Sequence, residues 1–111
     1  MSQDIEESRF AELAEIAARY AKAKATAEHL AEFRKSKKAI LMREAELAGI
    51  KTAALQERDA YANREYIELL EGLKEATEQA ESLRWQLEVK RMRFEWSRTK
   101  AANKRAEMSL R

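Results

Sequence analysis

The sequence predicts an all-α fold in which two long helices fold back on each other as an antiparallel, coiled-coil-like hairpin. Proline is absent, and glycine occurs only at Gly49 and Gly72. Because both residue types interrupt helices, their scarcity permits very long ones. Charged residues make up 38% of the chain, and such a charged, alanine- and leucine-rich composition is typical of coiled coils. We expect one helical-hairpin domain over residues 1–111.

The first arm of the hairpin is predicted over about residues 3–48. Apolar residues recur there at steps of three and four, which is the stripe of an amphipathic helix. The clearest members of this stripe are Phe10, Leu13, Ile16, Tyr20, Ala23, Ala27 and Leu30. Gly49 is expected to end this arm, since glycine readily adopts the left-handed conformation found just after helices.

A connector is predicted over about residues 49–63, followed by the second arm over about residues 64–109. Residues 50–62 are expected to form a short helix, with a loop as the alternative. Asn63 is expected to cap the second arm, because its side chain can accept a hydrogen bond from the free amides of the first turn. The apolar stripe of the second arm begins at Tyr66 and includes Leu69, Leu73, Ala76, Ala80, Leu83, Leu87 and Phe94.

The distribution of charge favours the hairpin over one continuous helix. Acidic residues outnumber basic ones by five to two in residues 1–20, whereas bases outnumber acids by nine to three in residues 84–111. Residues 34–51 are basic and residues 64–81 are acidic. Opposite charges tend to flank the seam of a coiled coil. Folding about residue 56 would bring both pairs of segments together, with residue i near residue 112 − i.

The second arm carries a further apolar stripe, formed by Trp85, Val89, Met92 and Trp96. At about 100° per residue, it lies nearly opposite the side that holds Leu83, Leu87 and Phe94. A helix that is apolar on two faces must be covered on both, and tryptophan is common among the residues that anchor interfaces. We therefore expect a homodimer, with two hairpins forming a four-helix assembly. A different, heterologous protein is the alternative partner.

A nucleic-acid interface is a second hypothesis for the same arm. Arg84, Arg91, Arg98 and Arg105 lie at seven-residue spacing. Such a ladder could bind phosphates. Interhelical ion pairs are favoured instead for three of the four: Arg84 with Glu28, Arg98 with Glu12 or Glu15, and Arg105 with Glu6 or Glu7. Arg91 is the exception. Aromatic residues beside cations can bind single strands by stacking. The residues proposed for this role are Arg91, Arg93, Lys100, Lys104 and Arg105, with Trp85 and Trp96 as stacking platforms.

Several classes of function lack support in the sequence. There is no cysteine, no glycine-rich phosphate loop and a single histidine, His29, so we expect no catalytic site, cofactor or metal. The basic run Arg34-Lys35-Ser36-Lys37-Lys38 is expected to be a helix surface matched by facing glutamates. No apolar run approaches the roughly 20 residues of a membrane span. The acidic start lacks the features of a signal peptide, which favours the cytoplasm.

The second half of the chain resembles a group of small, uncharacterised helical proteins of tailed bacteriophages and prophages. The resemblance covers about residues 54–108 and rests on scattered positions. These are Gln56-Glu57-Arg58 with Ala60-Tyr61, Tyr66, Leu69 and Leu73 with Gly72, Leu83-Arg84-Trp85, Trp96, Arg98-Thr99, Ala102-Asn103 and Arg105-Ala106-Glu107. It implies a phage origin, action in the host cytoplasm and an accessory role in replication or recombination. It carries no catalytic residues over to this chain.

Overall fold

Three α-helices form the chain in a computed structural model that describes residues 2–110, with side chains from residue 4 onward. They are α1 (Ser2–Leu47), α2 (Ala53–Ala62) and α3 (Arg64–Ser109). Helices α1 and α3 run antiparallel, and the all-α class and the long helical hairpin predicted from the sequence are confirmed. Helices of 46 residues are possible because no proline interrupts them.

Helix α1 ends in a glycine cap, as predicted. Gly49 adopts a φ of 104°, in the left-handed region that a residue with a Cβ atom enters only at a cost. The amide of Ile50 donates to the Ala45 carbonyl at 3.0 Å, and the amide of Gly49 donates to the Glu46 carbonyl at 3.0 Å. These two bonds form the Schellman arrangement, which satisfies carbonyls left free at the end of a helix.

The connector contains a helix rather than an extended loop. Thr52 is the N-cap of α2, and its hydroxyl accepts from the Leu55 amide at 3.3 Å. Gln56 reaches back to donate to the Ile50 carbonyl at 2.8 Å. The Thr52 hydroxyl therefore caps the start of α2, and the Gln56 side chain ties α2 to the turn that follows α1.

Asn63 joins α2 to α3 and is the predicted N-cap of α3. Its backbone is extended, with φ −68° and ψ 135°, and its amide donates to the Ala60 carbonyl at 3.2 Å. Its side-chain oxygen accepts from the Glu65 amide at 2.8 Å. One residue thus closes one helix and opens the next, because its side chain replaces a missing intrahelical partner.

The predicted register of the hairpin is wrong by six to ten residues. Facing pairs include Lys37 with Glu65, Phe10 with Phe94 and Arg9 with Ser97. Their residue numbers add up to 102, 104 and 106 rather than 112. The chain reverses at residues 48–52, because α1 ends at Leu47, Gly49 caps it and α2 begins the return path. The predicted reversal near residue 56 placed α2 in the middle of the turn.

Contacts divide the described chain into two units. One comprises Lys22–Ala80, and its core contains Leu41, Ala60 and Tyr66, with Met42 packed against them. Ala60 is fully buried, so a small side chain is what allows α2 to lie close to its neighbours. The edge of the Tyr61 ring packs on Tyr66 with centroids 5.3 Å apart.

The other unit comprises the described residues up to Ala21 and those from Glu81 onward. Its buried residues include Ile16 on α1 and Leu83 and Phe94 on α3. On α3, the covered positions follow alternating steps of four and three, the spacing of a coiled-coil seam. We call this set the inner seam; it consists of Leu83, Leu87, Lys90, Phe94 and Ser97.

Polar members of the inner seam have partners on α1. Lys90 forms an ion pair with Glu12, and the Arg9 guanidinium donates to the Ser97 hydroxyl at 3.0 Å. Phe10 lies edge-on to Phe94 with ring centroids 4.8 Å apart. The apolar and polar contacts of this seam are therefore all made in the same alignment of α1 with α3 in this unit.

The two glycines should respond to alanine in opposite ways. Gly49→Ala should lower the free energy of unfolding by about 1 kcal/mol, because the left-handed backbone disfavours any Cβ atom. Gly72 lies within α3, and an added Cβ there meets no atom within 4 Å. Gly72→Ala should therefore raise stability by about 0.5–1 kcal/mol. Thermal and urea unfolding of both variants measures the difference, and equal effects of the two substitutions would contradict this account of the turn.

Candidate self-association surface

The apolar face predicted on the second arm is open to solvent. Trp85 is 57% exposed, Val89 39%, Met92 57% and Trp96 67%. We call these four residues the outer stripe. Large apolar side chains in contiguous exposed rows mark interaction sites more often than isolated ones do. The outer stripe is thus a row of exposed apolar side chains along one face of α3.

The outer stripe and the inner seam lie on opposite sides of α3. Both follow steps of four and three residues, and the outer stripe starts at Trp85, two residues after Leu83. Two residues correspond to about 200° around a helix. The inner seam contacts α1 through Lys90, Phe94 and Ser97, so the opposite face of α3 is left without a covering helix within this unit.

Each tryptophan of the stripe has a cation over its ring. The Arg84 guanidinium lies 4.8 Å from the Trp85 ring, and the Lys100 ammonium lies 5.0 Å from the Trp96 ring. Arg84 also donates to Glu81 at 2.9 Å, and this bond raises the pKa of the guanidinium. Such cation–π contacts strengthen when they are removed from water, so a partner that covers the stripe would reinforce them.

Open grooves border the outer stripe. Trp85 and Val89 line one of about 390 Å³, together with Arg93. Trp96 and Arg93 line another of about 440 Å³, which faces Leu13 of α1. Arg93 therefore lines both grooves together with a tryptophan ring, and it lies between Trp85 and Trp96.

The five basic residues proposed to bind nucleic acid do not form one track. Arg93 and Lys100 lie along one edge of the outer stripe. Arg91 lies on the other side of the helix, 3.9 Å from Glu88. Lys104 and Arg105 line a separate groove that also contains Glu6. Only two of the five cations are therefore placed beside the tryptophans.

The predicted pairing of the arginine ladder is only partly found. Arg84 bonds to Glu81 of its own helix, and Glu28 lies 4.0 Å from Lys24 of its own helix. Glu12, expected near Arg98, instead pairs with Lys90. The shifted register explains this change, because it moves every residue of α1 opposite an earlier residue of α3.

Of the last two members of the ladder, Arg105 lies near its predicted partner Glu6, whereas Arg98 lies beside Phe94 and Glu6 rather than Glu12 or Glu15. The Arg98 guanidinium lies 5.8 Å from the Phe94 ring. Glu6, expected near Arg105, lines one groove with both arginines. The end of the ladder therefore lies beside an acidic residue of α1, as the charge pattern predicted.

The basic run at residues 34–38 faces glutamates, as predicted. Lys37 lies 3.0 Å from Glu65, and Lys38 lies 3.0 Å from Glu57. Tyr61 and Glu57 raise the pKa of Lys38, and Lys38 in turn lowers the pKa of the Glu57 carboxyl. These pairs join α1 to α2 and to the start of α3, so this run has a structural role in its unit.

His29, the single histidine of the chain, stacks on Phe33 with ring centroids 6.1 Å apart.

Within residues 2–110, no three histidine, cysteine or acidic side chains are grouped closely enough to hold a metal ion. In the same range, no helix is both long enough and apolar enough to cross a membrane.

The outer stripe is longer than the four residues identified from the sequence. The same steps of three and four continue through Thr99, Asn103 and Ala106 to Leu110, which follows the last residue of α3; these positions are exposed, as are all of residues 98–110. Thr99, Asn103 and Ala106 do not stand out in the sequence because they are small or polar. Their heptad spacing was the signal that could have revealed them.

No protein family, curated protein or solved structure matches the chain.

Proposed function

We propose that this chain is a non-enzymatic helical interaction protein that self-associates through the outer stripe. It acts as an accessory protein of a tailed phage in the cytoplasm of the host, where the dimer binds a host or phage protein. The observation that carries the proposal is the row of exposed apolar side chains, including both tryptophans, opposite the inner seam.

The size of the exposed surface supports self-association. Covering two largely exposed tryptophan rings removes on the order of 200–300 Å² of apolar surface per chain from water, or roughly 5–7 kcal/mol. A dimer doubles this gain, and Val89 and Met92 add to it. Association costs about 4–15 kcal/mol in lost translational and rotational freedom. The stripe is therefore large enough to offset the cost of forming a dimer.

Polar substitution of the tryptophans should dissociate the dimer without unfolding the chain. The variant Trp85→Gln/Trp96→Gln removes the two largest side chains of the stripe while retaining good helix formers. We expect light scattering at micromolar concentration to give the mass of two chains for the unchanged protein and of one chain for the variant. Circular dichroism should report similar helix content for both.

A matched control tests whether position matters. Ile67 and Leu70 are also exposed apolar residues of α3, but they lie outside the outer stripe. Ile67→Gln/Leu70→Gln should remain dimeric. A monomeric unchanged protein, or equal loss of dimer in both variants, would contradict self-association through the stripe.

Binding of single-stranded nucleic acid is the second candidate function. The observation that favours it is the position of Lys100 over Trp96, with Arg93 in the adjoining grooves. A base could stack on an indole while a neighbouring cation contacts its phosphate. Arg93 and Lys100 would then contact the phosphates of a strand whose bases stack on Trp85 and Trp96.

Low salt is the sensitive condition for this second function, because phosphate contacts weaken steeply as salt rises. If the function is correct, a labelled single-stranded oligonucleotide should bind at about 50 mM salt, and Arg93→Gln/Lys100→Gln should weaken binding at least tenfold. Arg64→Gln/Lys74→Gln removes two other cations of α3 and should have a much smaller effect. Undetectable binding of the unchanged protein by fluorescence anisotropy would exclude this function.

A further inference from the structure

The extended outer stripe has the heptad pattern of a coiled-coil seam. With Trp85 as a d position, the d positions also include Met92, Thr99 and Ala106, and the a positions are Val89, Trp96, Asn103 and Leu110. All eight side chains are exposed. Because the pattern runs for almost four heptads on one face, a second helix can pack along it by knobs-into-holes contacts.

Charged residues flank this seam asymmetrically. The g positions, on one side, contain Glu88 and Glu95. The e positions, on the other side, contain Arg93 and Lys100, followed by Glu107 near the end of the seam. Each g-position glutamate precedes a cation by five residues, which is the spacing that joins a g residue of one helix to the e residue of a parallel partner.

The direction of the partner helix changes these contacts completely. In a parallel, in-register dimer, Glu88 faces the partner's Arg93, and Glu95 faces the partner's Lys100, so four pairs of opposite charge form. In an antiparallel dimer, g positions face g positions and e positions face e positions. With the two stripes fully overlapped, Glu88 and Glu95 would face the uncharged g positions Ser109 and Ala102, and Arg93 would face the partner's Lys100. All four pairs of opposite charge would be lost, and cations would meet cations. Like charges at these positions are unfavourable, so the pattern selects the parallel arrangement.

Two further features fit a parallel dimer. Asn103 occupies an a position, where a pair of asparagines fixes the register and limits assembly to two strands. Lys100 already lies over the Trp96 ring at 5.0 Å. Long cationic side chains at e positions cover the apolar seam in this way while their charged ends remain in water.

We propose that the outer stripe is the seam of a parallel, in-register homodimer, in which α3 of one chain pairs with α3 of a second copy over residues 85–109. This inference rests on the proposed self-association and adds the direction, register and charge pairs of the interface. Each α1 lies on the far side of its own α3, so the inner seam of each hairpin stays intact.

Charge reversal in two complementary variants tests the orientation. Variant A is Glu88→Lys/Glu95→Lys, and variant B is Arg93→Glu/Lys100→Glu. In a parallel dimer each variant alone places like charges in all four pairs, so the dissociation constant of each should rise at least tenfold. Mixing A with B restores four opposite pairs and should yield a heterodimer at least as tight as the unchanged dimer.

The possible outcomes separate this inference from the proposed function. Analytical ultracentrifugation of A, B and their mixture at 50 mM salt measures all three affinities. If A and B alone dimerise as well as the unchanged protein, the parallel pairing is overturned although self-association stands. This holds whether or not mixing favours a heterodimer, because mixing would create opposite charge pairs in an antiparallel dimer as well. If the unchanged protein itself is monomeric at micromolar concentration, both proposals fail. Because A and B are mixed without further change, local effects on helix stability cannot produce the rescue.

Discussion

The opposition of two heptad seams on α3 is the constraint on which the rest of the molecule depends. The inner seam buries Leu83 and Phe94 against α1, which closes the hairpin in this unit. The outer stripe presents Trp85 and Trp96 to solvent. A single partner helix can cover only one side of α3, so a hairpin built on the inner seam leaves the outer stripe available for association.

Polar contacts supply the specificity of the hairpin. Lys90 and Ser97 occupy seam positions that apolar residues could fill, and they bind Glu12 and Arg9 respectively. Exposed ion pairs contribute little stability. Their effect is to favour one alignment, because sliding α1 by one turn would separate each group from its partner. In the Lys22–Ala80 unit, the bond of Lys38 to Glu57 connects α1 to α2.

The sequence was sufficient to predict elements that depend on local chemistry. The ends of helices at Gly49 and Asn63 follow from backbone freedom and from side-chain capping, and both are found. The register was mispredicted because charge complementarity between whole segments tolerates a shift of several residues. Fixing it required the location of the turn, which depends on the cap at Thr52 and on Ala60 fitting against Leu41 and Tyr66. The exposed tryptophans were predictable from their size and spacing, whereas the small and polar part of their stripe could be recognised only from its heptad spacing.

Disulfide trapping tests the central claim, that outer stripes of two chains face each other, most directly. The chain lacks cysteine, so a single introduced thiol reports one position. Thr99→Cys places the thiol in the middle of the outer stripe, and Ala101→Cys places it about 200° away on α3. Under mild oxidation at micromolar concentration, we predict rapid formation of a covalent dimer by Thr99→Cys and slow formation by Ala101→Cys. Equal rates of cross-linking, or faster cross-linking of Ala101→Cys, would contradict the account.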